Sequence, residues 1–346
     1  GRLAPYVALG WLAGAVAGRA SRTVVYGAAS LLRVLALGLL VIGAAAGSLP
    51  LACGAAIAAV ALGTPTFPTA AAALPALSRW ERPTTLLVTA EVLAFPAGAA
   101  LGGLAATVPL AGALGAVLAA GLGCTLLWAI DLGRGAPADV SYGSQLRSVL
   151  ANPQARGAII AVAALNASIG ALGVALLPLA HDSWAAGDGE YGFLTAALGV
   201  GAVAAPLLAR LLRAPAGIAT WLVAASVPLV FIAVAPGWRW AVPLVAAFGA
   251  LATQAECAVT MVLQRSVADA ERVCALGLAD TALYASAAVG AASAPLLLAF
   301  ISPSGLVVVQ LVLTVGAALV CRAQRELKPE HINLLADVGE VPVWPR

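Results

Sequence analysis

Residues 157–180 read GAIIAVAALNASIGALGVALLPLA and contain no charged side chain. A helix needs about 20 consecutive, mainly apolar residues to cross the hydrocarbon core of a bilayer. A strand of a membrane β-barrel would instead alternate apolar and polar residues over about ten positions. The stretch therefore predicts a membrane-spanning α-helix.

The whole composition agrees with this stretch. The chain has 346 residues, of which 62% are hydrophobic and only 10% are charged, whereas soluble proteins are about a quarter charged. Such a chain could not cover its surface in water, which excludes a cytosolic enzyme, a nucleic-acid binder and a disordered protein. We therefore expect an all-α polytopic membrane protein whose main partner is the lipid bilayer, with no nucleic-acid partner.

Turn residues and charges divide the chain into eleven predicted spans. Each span is an apolar run that is close to the length a membrane helix requires. Their approximate limits are 3–18, 24–46, 50–77, 84–107, 109–131, 157–180, 191–209, 216–235, 240–262, 275–300 and 305–321.

The basic residues predict the orientation, because cytoplasmic loops are enriched in Lys and Arg. Of the 18 basic residues only Lys328 is a lysine, a bias typical of GC-rich bacterial genomes, so we expect a bacterial inner-membrane protein. The other side of the membrane receives only Arg2 and Arg239, and Arg33 falls inside a span. The C-terminus is then cytoplasmic, and one helix more than the eleven would place both termini inside. The cytoplasmic side receives Arg19, Arg22, Arg79, Arg82, Arg134, Arg147, Arg156, Arg210, Arg213, Arg265, Arg272, Arg322, Arg325, Lys328 and Arg346.

A weak internal repeat separates two halves. Matching residues recur at offsets of about 190 positions, which is typical of transporters built from parallel repeats. The matched pairs are Gly10 with Gly201, Arg19 with Arg210, Arg22 with Arg213, and Glu91 with Asp280. We therefore predict an N-terminal bundle over 1–132, a cytoplasmic linker over 133–155, a six-helix bundle over 156–322 and a cytoplasmic tail over 323–346.

Three segments resemble the major facilitator superfamily of transporters. Residues 14–22, with Gly14, Gly18, Arg19, Ser21 and Arg22, sit where that family has its loop motif between helices 2 and 3. Residues 86–103 resemble its Gly/Pro-rich fifth helix. Residues 263–272 resemble the loop before helix 11 in exporters similar to the enterobactin exporter.

The resemblance implies two pseudo-symmetric helix bundles in which the eleven spans are family helices 2–12, without the first. It also implies transport by alternating access. The sequence departs from the motif at Gly18, where the family has an Asp that forms a cytoplasmic charge gate against helix 11. That departure places gating by this route in question.

Polar side chains within the spans are the candidates for a substrate or proton pathway, because ionisable groups at membrane depth are costly and face a cavity or a partner. A carboxyl group removed from water could bind and release protons. The structural alternatives are pairing of Glu91 and Asp280 with loop arginines, an ion pair for Glu256 or for Arg33, and an interhelical hydrogen bond for Asn166. The candidates are Arg33, Glu91, Asn166, Gln254, Glu256 and Asp280.

A second set of charged residues lies at the cytoplasmic ends of the predicted spans, in the matching loops of the repeat and in the segment that resembles the loop before helix 11. These residues are candidates for a cytoplasmic gate. They are Arg19, Arg22, Arg210, Arg213, Glu271 and Arg272.

Other chemistry has little support in the sequence. No glycine cluster is followed by Gly-Lys-Ser/Thr, and no Gly-x-Ser-x-Gly motif occurs, so we expect neither a nucleotide loop nor a catalytic serine. The two histidines, His181 and His331, are isolated and the five cysteines are scattered. We therefore expect no metal, no cofactor and no enzymatic activity.

Three functions remain, one of which is import of a nutrient, because coupling and not the sequence pattern sets the direction of transport. The first is a monomeric secondary transporter that exports a small amphipathic or lipophilic compound in exchange for protons. The second is a non-transporting membrane sensor or anchor for a cytoplasmic domain beyond the C-terminus. The departure at Gly18 motivates the second, as do residues 327–337, which faintly resemble the helix that opens a cyclic-nucleotide-binding domain.

Overall fold

The structure is a computed structural model that describes residues 21–77, 84, 87–88, 90–91, 94, 109–128, 132, 142–211 and 217–326. Within these residues every regular element is a helix. The α-helices are α1 (Arg22–Ala45), α2 (Leu49–Gly63), α3 (Thr66–Leu77), α4 (Pro109–Trp128), α5 (Tyr142–Ala151), α6 (Pro153–Pro178), α7 (Asp188–Leu211), α8 (Ile218–Ala233), α9 (Trp238–Ser266), α10 (Asp269–Leu298) and α11 (Pro303–Glu326). A π-helical turn over Leu179–Ser183 continues α6.

The helices confirm the predicted all-α membrane architecture. Seven spans in the described part of the chain are long and apolar enough to cross a membrane, and α8 is a shorter apolar helix. The predicted spans 3–18 and most of 84–107 lie outside the described residues. The other nine of the eleven fall on described helices.

The predicted span 50–77 is broken in the structure. α2 ends at Gly63 and α3 begins at Thr66, so a short turn divides the apolar run. The hydroxyl groups of Thr64 and Thr66 donate to the carbonyl oxygens of Ala61 and Gly63 at 2.7 and 2.6 Å. Side chains of this kind satisfy backbone groups that an interrupted membrane helix leaves free.

Several helices run beyond their predicted spans, among them α9 and α10, which meet at the site. α9 continues to Ser266, and α10 begins at Asp269, whereas the apolar runs predicted limits of 240–262 and 275–300. The segment that resembles a loop before helix 11 is therefore mostly helical, with only Val267 and Ala268 between the two helices. Hydrophobicity marks where a helix lies in lipid, but capping and charge decide where it ends.

The second half of the chain is assembled around two close helix crossings. A Cβ atom on Gly170 of α6 would overlap the carbonyl oxygen of Ala287 on α10, and one on Gly290 would overlap that of Ala167. Gly201 of α7 and Gly249 of α9 meet carbonyl oxygens of each other's helix in the same reciprocal way. Small residues let membrane helices approach this closely, which increases their dispersion contacts.

Large apolar side chains cover the outer surface of the bundle. They are exposed on α1, α8 and α11, as expected for helices that contact lipid rather than water. Examples are Leu31, Leu35 and Leu39 on α1, Val223, Val227 and Phe231 on α8, and Val308, Val312 and Leu319 on α11.

A short amphipathic helix lies within the segment predicted as a linker. α5 buries Gln145 and Val149 and packs against α10. Its first residue, Tyr142, lies beside Cys274, and burial, more than this thiol, raises the pKa of Tyr142 to about 12. The described part of the segment predicted as a linker is therefore largely helical, and α5 is docked against α10.

The crossing at Gly170 can be tested with a variant and a control that both lie on α6. We expect Gly170→Ala to cost about 1–3 kcal/mol, because the new methyl group must push α6 away from α10. The measurement is the apparent Tm of the purified protein in detergent. Gly173→Ala is the matched control, since no atom lies within 4 Å of a Cβ there. Equal melting temperatures for the two variants would contradict the crossing.

Candidate functional site

An ion pair joins the two halves at the end of the bundle where α9 meets α10. The guanidinium of Arg22, at the start of α1, lies 3.0 Å from a carboxylate oxygen of Asp269, the first residue of α10. It also donates to the Asp269 carbonyl oxygen at 3.1 Å. Arg22 is 3% exposed. Its positive charge therefore needs Asp269 for stabilisation more than the charge of a surface arginine would.

Gln264 of α9 makes a second connection between the halves. Its Nε2 donates to the carbonyl oxygen of Ala71 on α3 at 2.7 Å, and its Oε1 accepts from the hydroxyl of Thr84 at 2.9 Å. Arg272 donates to the Gln264 carbonyl oxygen and to Asp269, both at 2.7 Å. We call this set of contacts around Gln264 and Asp269 the end network.

Local sequence explains how the end network is positioned. The side chain of Asn152 accepts from the backbone N–H groups of Gln154 and Ala155 and so caps α6, the arrangement favoured by Asn before Pro at a helix start. Its amide also donates to the Ser266 carbonyl oxygen at 2.7 Å. Asp269 and Glu271 lie in the first turn of α10, where acidic residues interact favourably with the helix dipole.

Three carboxyl groups form an acidic cluster between the halves. Glu91 comes from the first half, Glu256 from α9 and Asp280 from α10. The hydroxyl of Tyr284, one turn after Asp280 on α10, contacts Glu91, and α6, whose Asn166 contacts Glu256, packs against α10. Among the described residues, the cluster therefore includes ionisable groups from both halves within the spanning region.

The longer helices place the cluster deeper than the sequence implied. Glu256 lies ten residues before α9 ends, and Asp280 lies eleven residues after α10 begins. At 1.5 Å per residue both carboxyl groups are ~15 Å from the α9–α10 connection. Asp280 is thus three turns into its helix, and not near its end as the apolar pattern had indicated.

The hydrogen bonds of the cluster are unequal. Asn166 of α6 donates to Oε1 of Glu256 at 2.9 Å, which is the interhelical hydrogen bond considered from the sequence. The hydroxyl of Tyr284 donates across the halves to Oε1 of Glu91 at 3.4 Å. Asp280 is 7% exposed, yet it forms no hydrogen bond or ion pair with any described residue.

Two predicted pathway residues are not brought to the cluster. Gln254 donates to the carbonyl oxygen of Ala205 on α7 at 2.5 Å, so it faces away from Glu256. Arg33 is exposed on α1 and pairs with none of the carboxylates that the structure describes. The ion pair of Arg33 with Glu91 considered from the sequence is therefore not formed here.

The predicted gate residues have different outcomes. Arg22 and Arg272 belong to the end network, but Glu271 forms no ion pair within the described part of the chain. Arg19 and Arg213 lie outside the described residues, as does the side chain of Arg210. No group of three or more His, Cys, Asp or Glu side chains among the described residues is placed to hold a metal ion.

Several residues of the site were not singled out from the sequence. The apolar pattern places Asp269 and Gln264 in a loop and Tyr284 in an apolar helix. Two signals could have located them. Asn152 followed by Pro153 indicates a helix start, and Asp269 with Arg272 three residues later indicates the first turn of another helix.

Solved structures resemble this arrangement along nearly the whole chain. The E. coli fucose:proton symporter FucP matches with a TM-score of 0.71 at 12% identity, covering 92% of this chain and 88% of that one. A bacterial homologue of the iron transporter ferroportin matches at 0.70 and 17% identity, covering 94% and 88%. The proton:xylose symporter XylE, of the major facilitator superfamily, matches at 0.66 and 14% identity, covering 95% and 85%.

The chain has the major facilitator fold. No family model matches the sequence, and no curated protein matches it either. At these identities the likeness rests on the arrangement of the helices. The major facilitator fold makes the chain a multi-pass membrane protein, and it agrees with the predicted fold class.

The Arg22–Asp269 bridge is testable by a double-mutant cycle. We expect Arg22→Gln and Asp269→Asn each to lower the apparent Tm, and the double variant to lose less than their sum, with a coupling of about 1 kcal/mol. Glu271→Gln is the control, since it removes a charge two residues away. Strict additivity of the two substitutions would show that the bridge contributes nothing.

Proposed function

We propose that the chain is a secondary active transporter that exports a small amphipathic or lipophilic compound in exchange for protons. The observation that carries the proposal is the acidic cluster, which gathers carboxyl groups from both halves in a fold built from two halves. A group at such an interface changes its surroundings when the halves rock against each other. Protonation can then be coupled to that motion.

The end network supplies the second part of the proposal. Its contacts, from Arg22 to Asp269 and from Gln264 to Ala71 and Thr84, hold the halves together at one end. Breaking them would open that end. We propose that this end is cytoplasmic, because the basic residues Arg156, Arg265 and Arg322 lie there too, and that the structure is closed towards the cytoplasm.

The neighbours in fold support proton coupling. Two of them, FucP and XylE, are proton symporters. The spanning helices of this chain offer few Asn, Gln or aromatic side chains to hydrogen-bond and stack on a sugar. A lipophilic compound suits these helices better, and the resemblance of residues 263–272 to exporters favours outward transport.

The non-transporting alternative, a membrane sensor or anchor, drew on Gly18. The Arg22–Asp269 bridge weakens this support, since it connects the halves at the same end without a carboxylate at position 18. We therefore favour transport, and the alternative becomes one outcome of the experiment below. We further propose that the protein acts as a monomer in a bacterial inner membrane.

Transport is tested in proteoliposomes that contain the full-length protein. We expect an imposed proton gradient to drive movement of at least one dye from a panel of cationic, neutral and anionic lipophilic dyes. Dye fluorescence on the two sides of the membrane gives rate and direction. If no dye moves in response to the gradient, the non-transporting alternative is favoured. If dye moves only in the same direction as the protons, as in a symporter, export in exchange for protons is overturned.

The role of the acidic cluster has its own test. We expect Asp280→Asn to reduce the gradient-driven rate by about tenfold or more, because a carboxamide cannot bind and release a proton near neutral pH. Asp182→Asn is the matched control, since Asp182 is exposed on the far side of the bundle. An equal loss of the gradient-driven rate in both variants would show that Asp280 has no particular role in proton coupling.

A further inference from the structure

A cavity of about 110 Å³ lies inside the second half, at the end of the bundle that carries the end network. The start of α6, the start of α8 and the last turns of α9 and α11 form its walls. All four helices belong to the second half, so the cavity is separate from the interface between the halves. Among the residues that line it are Gln154, Gly157, Ile218, Val262 and Gln324.

The cavity is polar at its mouth and apolar inside. Gln154 is exposed, whereas Ala158 and Ile218 on the inner wall are buried. The amide of Gln324 folds over Gly157, so that its Oε1 would lie 2.5 Å from a Cβ atom placed on that glycine. The thiol of Cys321, another lining residue, donates to the Gly157 carbonyl oxygen at 3.3 Å. Two carboxamide side chains therefore stand beside a small apolar recess.

Basic residues surround this cavity. Arg156 immediately precedes Gly157, and Arg322 immediately follows Cys321. Arg265 comes three residues after Val262, which places it one turn nearer the end of α9 on the same face. All three arginines are exposed, and none of the residues that line the cavity is charged. The surroundings of the cavity therefore favour an anionic ligand.

The start of α8 adds to this preference. Ile218 and Ala219 are the first two residues of α8, and both line the cavity. The first N–H groups of a helix have no partner within the helix, and the preceding Gly217 has no side chain with which to cap them. Phosphate groups bind readily to such N–H groups.

The size and level of the cavity point to a lipid headgroup. A cavity of roughly 150 Å³ can hold benzene, so this one has room for a group close to the size of glycerol. It opens among helix ends, where a protein that crosses the bilayer meets the headgroups. Exposed apolar side chains continue from it along α6 and α11, at Ile160, Val320 and Leu319. Basic pockets between membrane helices are known to bind anionic headgroups.

We propose that the cavity binds the headgroup of phosphatidylglycerol. The phosphate interacts with Arg265 and the start of α8, and the glycerol hydroxyl groups form hydrogen bonds with Gln154 and Gln324. Free glycerol phosphate shares this chemistry, but the apolar surface that continues from the mouth suits acyl chains and so favours the lipid. The site lies away from the transport pathway, and it stands or falls independently of the proposed function.

Binding can be measured without transport. Native mass spectrometry of the purified full-length protein in detergent counts the bound lipids. We expect phosphatidylglycerol to bind about tenfold or more tightly than phosphatidylcholine with the same acyl chains, which has no net charge. Glycerol 3-phosphate and inorganic phosphate serve as soluble competitors, and neither should displace the lipid at an equal concentration.

Variants assign the binding to the cavity. Arg265→Gln and Gln324→Leu should each weaken phosphatidylglycerol binding by about fivefold. Arg147→Gln is the matched control, because Arg147 is exposed on α5 at the same end of the bundle but does not line or flank the cavity. Size-exclusion profiles and circular dichroism verify that each variant folds. Arg265 is exposed, so its variant can decide even if Gln324→Leu misfolds.

Cys321 gives a local measure of occupancy. Its alkylation by N-ethylmaleimide is followed by peptide mass spectrometry in the presence of either lipid. We expect phosphatidylglycerol to slow alkylation of Cys321 by about fivefold relative to phosphatidylcholine. Cys53, which is exposed on α2, is the internal control and should react at the same rate in both lipids.

Several results would overturn the inference. They are equal binding of the two lipids, unchanged binding in both cavity variants, and alkylation of Cys321 at the same rate in both lipids. An equal loss in Arg147→Gln and Arg265→Gln would show that surface charge alone attracts the lipid. Displacement by glycerol 3-phosphate at an equal concentration would assign a soluble ligand instead. Dye transport without a preference for phosphatidylglycerol would leave only the proposed function standing, and lipid binding without transport would leave only this inference.

Discussion

Close backbone contact between helices is the constraint on which this structure depends. Membrane helices gain little from the hydrophobic effect when they associate, because lipid is as apolar as their side chains. The crossing of α6 with α10 at Gly170 and Gly290, and that of α7 with α9 at Gly201 and Gly249, therefore rest largely on dispersion contacts between backbones. These two crossings fix the helices that carry Asn166, Glu256 and Asp280. A single methyl group added at a crossing would push the two helices apart and so displace the polar side chains that they carry.

The sequence predicted well the features that a lipid environment requires, namely the membrane-spanning segments. Apolar runs located the spans, and the asymmetry of the basic residues agreed with their number. The ends of the helices were harder to predict, since α9 and α10 continue through Gln264, Asp269 and Arg272, where hydrophobicity falls. This difference moved Asp280 from the end of its helix to a depth of ~15 Å. The apolar pattern also missed the break between α2 and α3.

The sequence could not predict which residues far apart in the chain contact each other. Arg22 was recognised as a gate candidate, but its partner Asp269 lies 247 positions away, and no local pattern relates the two residues. Likewise Glu91 and Asp280 were related by the repeat, whereas the presence of Glu256 in the same cluster follows only from how α9 packs. Gln254 shows the reverse case, because its polar side chain serves helix packing with α7 and does not face the cluster.

The separation between Arg22 and Asp269 has a consequence for biosynthesis. Asp269 is made 247 residues after Arg22. At ~5–20 residues per second, roughly 10–50 s pass before the carboxylate exists. During that interval a guanidinium that ends up almost buried must stay in water or among lipid headgroups. This contact between the halves is therefore missing until the first turn of α10 has been made.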